Sequence, residues 1–190
     1  MDDFLLCIYL EQAKEECDRS FAAIKELNAA IASKGETDPF GPAQALIHHA
    51  AAVSRMFWPP GSRDKHARQR SQRRGEALRK AIGITKEHPV QNRALRDHFE
   101  HFDERLDDWA ERSKNRNIVK HLVGPRNAIG GDAISDEDII HHYDPAEKVY
   151  AFRGEKFDVQ LLASGLTDIY NKIDSKLNSL RPYKRYTGGA

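Results

Sequence analysis

The chain has 190 residues, 31% of them charged and 39% hydrophobic, with a net charge of +1. That length suits one domain with a buried core, residues 1–190, rather than two independent ones. A mean hydropathy of -0.70 fits a heavily solvated surface, yet apolar residues recur at helical spacing, which argues against disorder. No stretch reaches the roughly 18 to 20 apolar residues that span a bilayer, so no membrane partner is expected. The acidic start, Met1-Asp2-Asp3-Phe4, lacks the basic region of a signal peptide, which makes the cytoplasm the expected location.

A first helix is predicted over about 2–33, because Leu10, Ala13, Cys17, Phe21, Ile24, Leu27 and Ile31 recur every three or four residues, and Gly35 is its stop. Cys7 and Cys17 share that helix with about 15 Å of rise between them, which excludes a disulfide. A second helix fits about 42–57 and ends at Pro59-Pro60-Gly61. Ser62 or Asp64 is a suitable cap for a third, over about 64–82, with Gly83 closing it. Its front half has thin apolar content, as in a mobile arm. From Arg63 to Lys80 basic residues dominate, and from Asp97 to Arg112 acidic ones do. Such opposite blocks belong to helices that pair or that face different partners.

A fourth helix is predicted over about 89–113, with the stripe Leu95, Phe99, Phe102, Leu106 and Trp109. Beyond Asn117 the residues Gly124, Pro125, Gly130 and Gly131 suggest an irregular connection, and Ser135-Asp136-Glu137-Asp138 a short helical turn. The His141-His142 pair falls in this connection and reads as exposed polar residues. A β-hairpin is expected over about 147–159, turning at Arg153-Gly154, followed by a last helix over about 160–180 with the stripe Leu162, Leu166, Ile169, Ile173 and Leu177. The tail 181–190 reads as loose.

On the wheel of the fourth helix, His98 and Arg105 flank one edge of the apolar stripe, His101 lies further round, and Arg96 sits on the other flank. The segment Arg96-Asp97-His98-Phe99-Glu100-His101 resembles the motif of the HEPN superfamily, in which an Arg precedes a His by four to six intervening residues and a polar residue often follows the Arg. Arg93 and His98 form a second register, but Ala94 takes the polar position. The position two after His101 is Asp103, where one extended form of the motif carries Tyr.

The resemblance implies a mainly α fold, a HEPN-like up-and-down helical bundle, here carrying a small C-terminal β-hairpin and a final helix. It implies metal-independent RNA cleavage that leaves 2′,3′-cyclic phosphate ends, with no cofactor. Arg96 and His101 are then the catalytic residues, and Asp97 either orients them or is a solvated helix carboxylate; His98 either touches these side chains or the substrate, or is a satisfied boundary histidine. Family members pair two motifs across a homodimer, and the setting implied is toxin–antitoxin or phage defence, with a cognate antitoxin protein as partner. The residue types suit the chemistry, since histidine titrates near neutral pH and a guanidinium binds phosphate through two hydrogen bonds. Five residues on one helix separate two side chains by about 140° and about 7.5 Å, so one helix does not converge them and a dimer is expected to.

Arg68, Arg70, Arg73 and Arg74 are the expected nucleic-acid contacts, sequence-blind and salt-dependent. The bland alternative is a solvated face. A metal set built from His98 and His101 with His48-His49 or Asp103 has workable spacing, but no HExxH or CxxC supports it and no metal is expected. The rival function is a non-catalytic helical interaction or RNA-binding protein.

Overall fold

The structure is a computed structural model that describes residues 1–33, 35–92, 102–113 and 116–180. Helix α1, Asp3–Ala32, starts where the Asp2 carboxylate accepts the Leu5 N–H at 2.8 Å. This bond satisfies one of the four unpaired donors of the first turn. Leu6, Leu10, Ala13, Cys17, Ala23 and Leu27 are buried along it, and both cysteines are free thiols. Helix α2, Phe40–Phe57, is capped by the Asp38 carboxylate on the Phe40 N–H, two residues before the expected start. It packs its Leu46, Ile47, Ala50 and Val53 face on α1.

Helix α3, Lys65–Ile82, is capped by Asp64, whose carboxylate accepts the His66 N–H at 2.8 Å, and closes at left-handed Gly83. It is regular helix from Lys65 onward, its front half included. Helical propensity of the Arg-, Gln- and Ala-rich run and the Asp64 cap hold the helix where packing is thin.

The expected helix over 89–113 does not begin as α-helix at Pro89. Pro89–Gln91 forms a 3-10 turn and Asn92 leaves it in an extended conformation, with ψ 119. His88 caps this turn: its Nδ1 accepts the Val90 N–H at 3.2 Å and its carbonyl takes the Gln91 N–H. Helix α4 is Phe102–Arg112.

The connection after Asn117 is also corrected. Strands β1, Val119–Val123, and β2, Ile139–Asp144, pair in parallel, and β3, Val149–Phe152, and β4, Glu155–Asp158, extend the sheet antiparallel in the order β1-β2-β3-β4. The expected hairpin is β3–β4, turning at Arg153 and Gly154 with φ of 48° and 83°, as a two-residue primed turn requires. The 3-10 turn at Asp136–Asp138 is the expected short helical turn, and Ser135 and Asp138 form a capping box on it. Helix α5, Val159–Ser179, is capped by Asp158.

α5 runs antiparallel to α1: Lys14 pairs with Asp174, and Phe21 meets Tyr170 edge-on at 5.5 Å. One buried cluster joins the helices to Tyr143, Tyr150, Phe152 and Phe157 of the sheet. No described helix is long and apolar enough to cross a membrane.

Candidate functional site

Arg96, Asp97, His98 and His101, and the second-register Arg93, lie outside the described residues. What the structure gives is the frame on either side of them. On the near side Val90 is fully buried, the Trp58 and His88 rings stack at 5.4 Å, and His88 Nε2–H donates to Asp168 at 3.4 Å. Gly165 of α5 makes this packing possible, because a Cβ there would stand 3.0 Å from both Pro89 and Val90. On the far side Trp109 of α4 is buried and its indole N–H donates to the Asp138 carboxylate at 2.8 Å. Burial alone would push the Asp138 carboxyl up; the Trp109 and Ser135 hydrogen bonds and the nearby Arg153 guanidinium outweigh it, and the carboxyl is lowered. Asp103, Glu104, Asp107, Asp108 and Glu111 are exposed on the remaining surface of α4.

The arginines of α3 divide into two groups. Arg68, Arg70 and Arg73 are exposed, as are Lys65 and His66 beside them. Arg74 is half-buried, lies over the Tyr9 ring at 5.4 Å, and donates through Nη2 to the Arg55 carbonyl at 3.3 Å. Arg79 donates to the Phe57 carbonyl. Arg74 and Arg79 therefore satisfy carbonyls at the C-terminal end of α2 that have no partner within that helix, a cationic capping role. Among the described residues no ion pair joins α3 to α4.

Three histidine arrangements emerge that spacing along the chain does not announce. Glu16 of α1, largely buried, accepts from His49 Nδ1–H of α2 at 2.8 Å and from Arg19 at 3.0 Å. His142, expected as exposed, is instead a buried strand residue whose Nε2–H donates to the Gly124 carbonyl at 2.8 Å. His141 is half-buried on the opposite face, with Nδ1 2.9 Å from the Tyr150 hydroxyl. The doublet His141-His142 inside an apolar run was the available signal, since a strand covered on both faces loses its polar alternation. No known protein family, characterised protein or solved structure matches the chain.

Burial pushes the His141 imidazole down to about 4, helped by His121 and Lys120 and opposed by Asp38. The unfolded chain has an ordinary histidine near 6.5, so it binds more protons than the folded chain between the two values. The contribution to stability is complete above about 6.5 and is lost as pH falls toward 4. Burial lowers His88 in the same direction. Denaturant midpoints are expected to fall between pH 7.5 and pH 4.5, and His141→Gln is expected to flatten that fall; equal pH slopes in both proteins would contradict it.

Proposed function

We propose that this protein is a metal-independent endoribonuclease of HEPN type, built as a dimer of HEPN-like helical bundles. The observation that carries the reading is the Arg96–His101 motif in a helical protein whose α3 presents Arg68, Arg70 and Arg73 to solvent. His101 takes the proton of a ribose 2′-hydroxyl, whose oxygen attacks the adjacent phosphorus as the 5′-oxygen leaves. The leaving oxygen recovers a proton from the imidazolium of the same or the paired motif. Arg96 neutralises the charge that grows on the non-bridging oxygens, Asp97 orients the pair, and His98 contacts the substrate beside them. The products are a 2′,3′-cyclic phosphate and a free 5′-hydroxyl, and the scheme uses no metal or cofactor. A cytoplasmic toxin–antitoxin or phage-defence role, with a cognate antitoxin protein, completes the proposal.

The exposed arginines of α3 serve the backbone of the RNA. Each phosphate contact removed is expected to lower the slope of log affinity against log salt by about 0.7 for single strands. Replacing Arg68, Arg70 and Arg73 together by Ala should therefore flatten that slope by about 2, and replacing Arg74 should instead lower stability. A salt slope unchanged in the triple variant would remove α3 from the interface. The nuclease itself is tested by incubating purified protein with RNA in EDTA, where cleavage by the wild type and its loss in Arg96→Ala are expected.

One observation favours the non-catalytic reading. Leu5 and Ile8 are 40% and 45% exposed near the start of α1, an apolar surface that suits a protein partner. RNA left intact under every condition, with binding retained, is the result that reading expects.

A further inference from the structure

Strands β1 and β2 hold two histidines side by side, and neither has a role in the scheme above. His121 and His141 are register partners, so their side chains leave the same face of the sheet, with ring centroids 5.5 Å apart and planes at 51°. His141 lies among Phe40 and Phe152, at 5.9 and 5.2 Å between centroids, and its Nδ1 is engaged by the hydroxyl of the buried Tyr150. Only Nε2 of that ring remains for another partner. His121 is exposed and stacks on Phe40 at 4.4 Å and 22°, and among the described residues its ring nitrogens have no hydrogen-bond partner.

Two imidazoles so placed can share one cation. A ligating histidine commonly uses its second nitrogen on an outer partner that fixes the ring, as Tyr150 does for His141. Two imidazole nitrogens about 2.1 Å from one cation in near-tetrahedral geometry set ring centroids on the order of 5 to 6 Å apart, which the His121–His141 separation meets. Of the charges nearby, Lys120 opposes a cation and Asp38 favours one.

The His48 and His49 rings are equally close, 5.5 Å, but lie edge-on at 78°. They are consecutive on a helix, where side chains diverge by about 100°.

The geometry points to a two-histidine site for a divalent late transition metal, of the Zn²⁺ type, at His121 and His141. Among the described residues no group of three His, Cys, Asp or Glu side chains could hold a metal, so the remaining positions are open to water or to a donor from a bound partner. The inference stands apart from the ribonuclease proposal, whose cleavage persists in EDTA.

Titration of the chelator-stripped full chain with zinc chloride, followed by calorimetry, tests it. One equivalent is expected to bind. Tyr150→Phe, which removes only the outer partner, should weaken binding by about ten- to a hundredfold. His121→Ala, a change at an exposed position, should abolish saturable binding, and His48→Ala should leave it unchanged. Circular dichroism melts of each variant confirm folding. Absence of saturable binding in the wild type, survival of binding in His121→Ala, or its loss in His48→Ala overturns the assignment.

Discussion

His101→Ala is expected to reduce RNA cleavage by about 10²–10⁴-fold, the range that a positioned general acid–base supplies. Arg96→Ala is expected to reduce it by about 10²–10³-fold, as for removal of one donor to a developing oxyanion. The two differ in kind. Loss of the imidazole removes proton transfer, so the pH dependence of the residual rate should flatten near the histidine pKa. Loss of the guanidinium removes charge stabilisation and should leave the pH profile in place with a lower plateau. On the helix that the sequence predicts, five positions set the two groups about 7.5 Å apart in rise, so each active site is expected to draw on both protomers. Mixing the two inactive variants should then restore part of the activity, since a mixed dimer reassembles one intact pair. Full activity of either single variant would eliminate the motif as the site.

Gly75→Ala is expected to destabilise the fold by about 1–3 kcal/mol, against the usual trend. In the middle of a helix such a change ordinarily gains about 0.5–1 kcal/mol, because alanine loses less backbone freedom on folding. Here a Cβ would stand 2.6 Å from the Phe57 carbonyl oxygen and 2.6 Å from Pro59 Cδ. Both belong to backbone or a ring and neither swings aside, so α3 has to move off the end of α2. That movement also stretches the contacts Arg74 and Arg79 make to the carbonyls of Arg55 and Phe57. Gly41→Ala is the control, since a Cβ there meets nothing within 4 Å. Urea unfolding that places Gly75→Ala at or above the wild-type midpoint would contradict this account of the α2–α3 crossing.

The long helices were legible because their signals are local. Asp2 and Asp64 cap helices from side chains two or three residues away, and Gly83 stops α3 by taking φ 65. Arg153-Gly154 likewise encodes the turn of β3–β4 within two residues. What escaped depends on contacts remote in sequence. β1 and β2 pair in parallel across a crossover, and β2 is covered on both faces, so His141 and His142 look like loop residues in a linear reading. Pro89 reads as an ordinary helix start, and it does open a helical turn, but a 3-10 one that ends at Gln91. Charge counting placed Arg74 with Arg68, Arg70 and Arg73, and only tertiary packing separates a cap from a solvent-facing residue. The candidate site was legible only as the pattern Arg96 to His101, since those residues are adjacent in sequence and lie outside the described ones.

The central claim concerns the bond that breaks and the groups left behind. Purified protein incubated with a defined RNA in excess EDTA, followed by analysis of both new ends, tests it most directly. The account predicts 2′,3′-cyclic phosphate and 5′-hydroxyl ends, formed by the wild type and at least about a hundredfold more slowly with His101→Ala. Ends bearing 5′-phosphate and 3′-hydroxyl, cleavage that stops on chelation, or cleavage that keeps its full rate without His101 would contradict it.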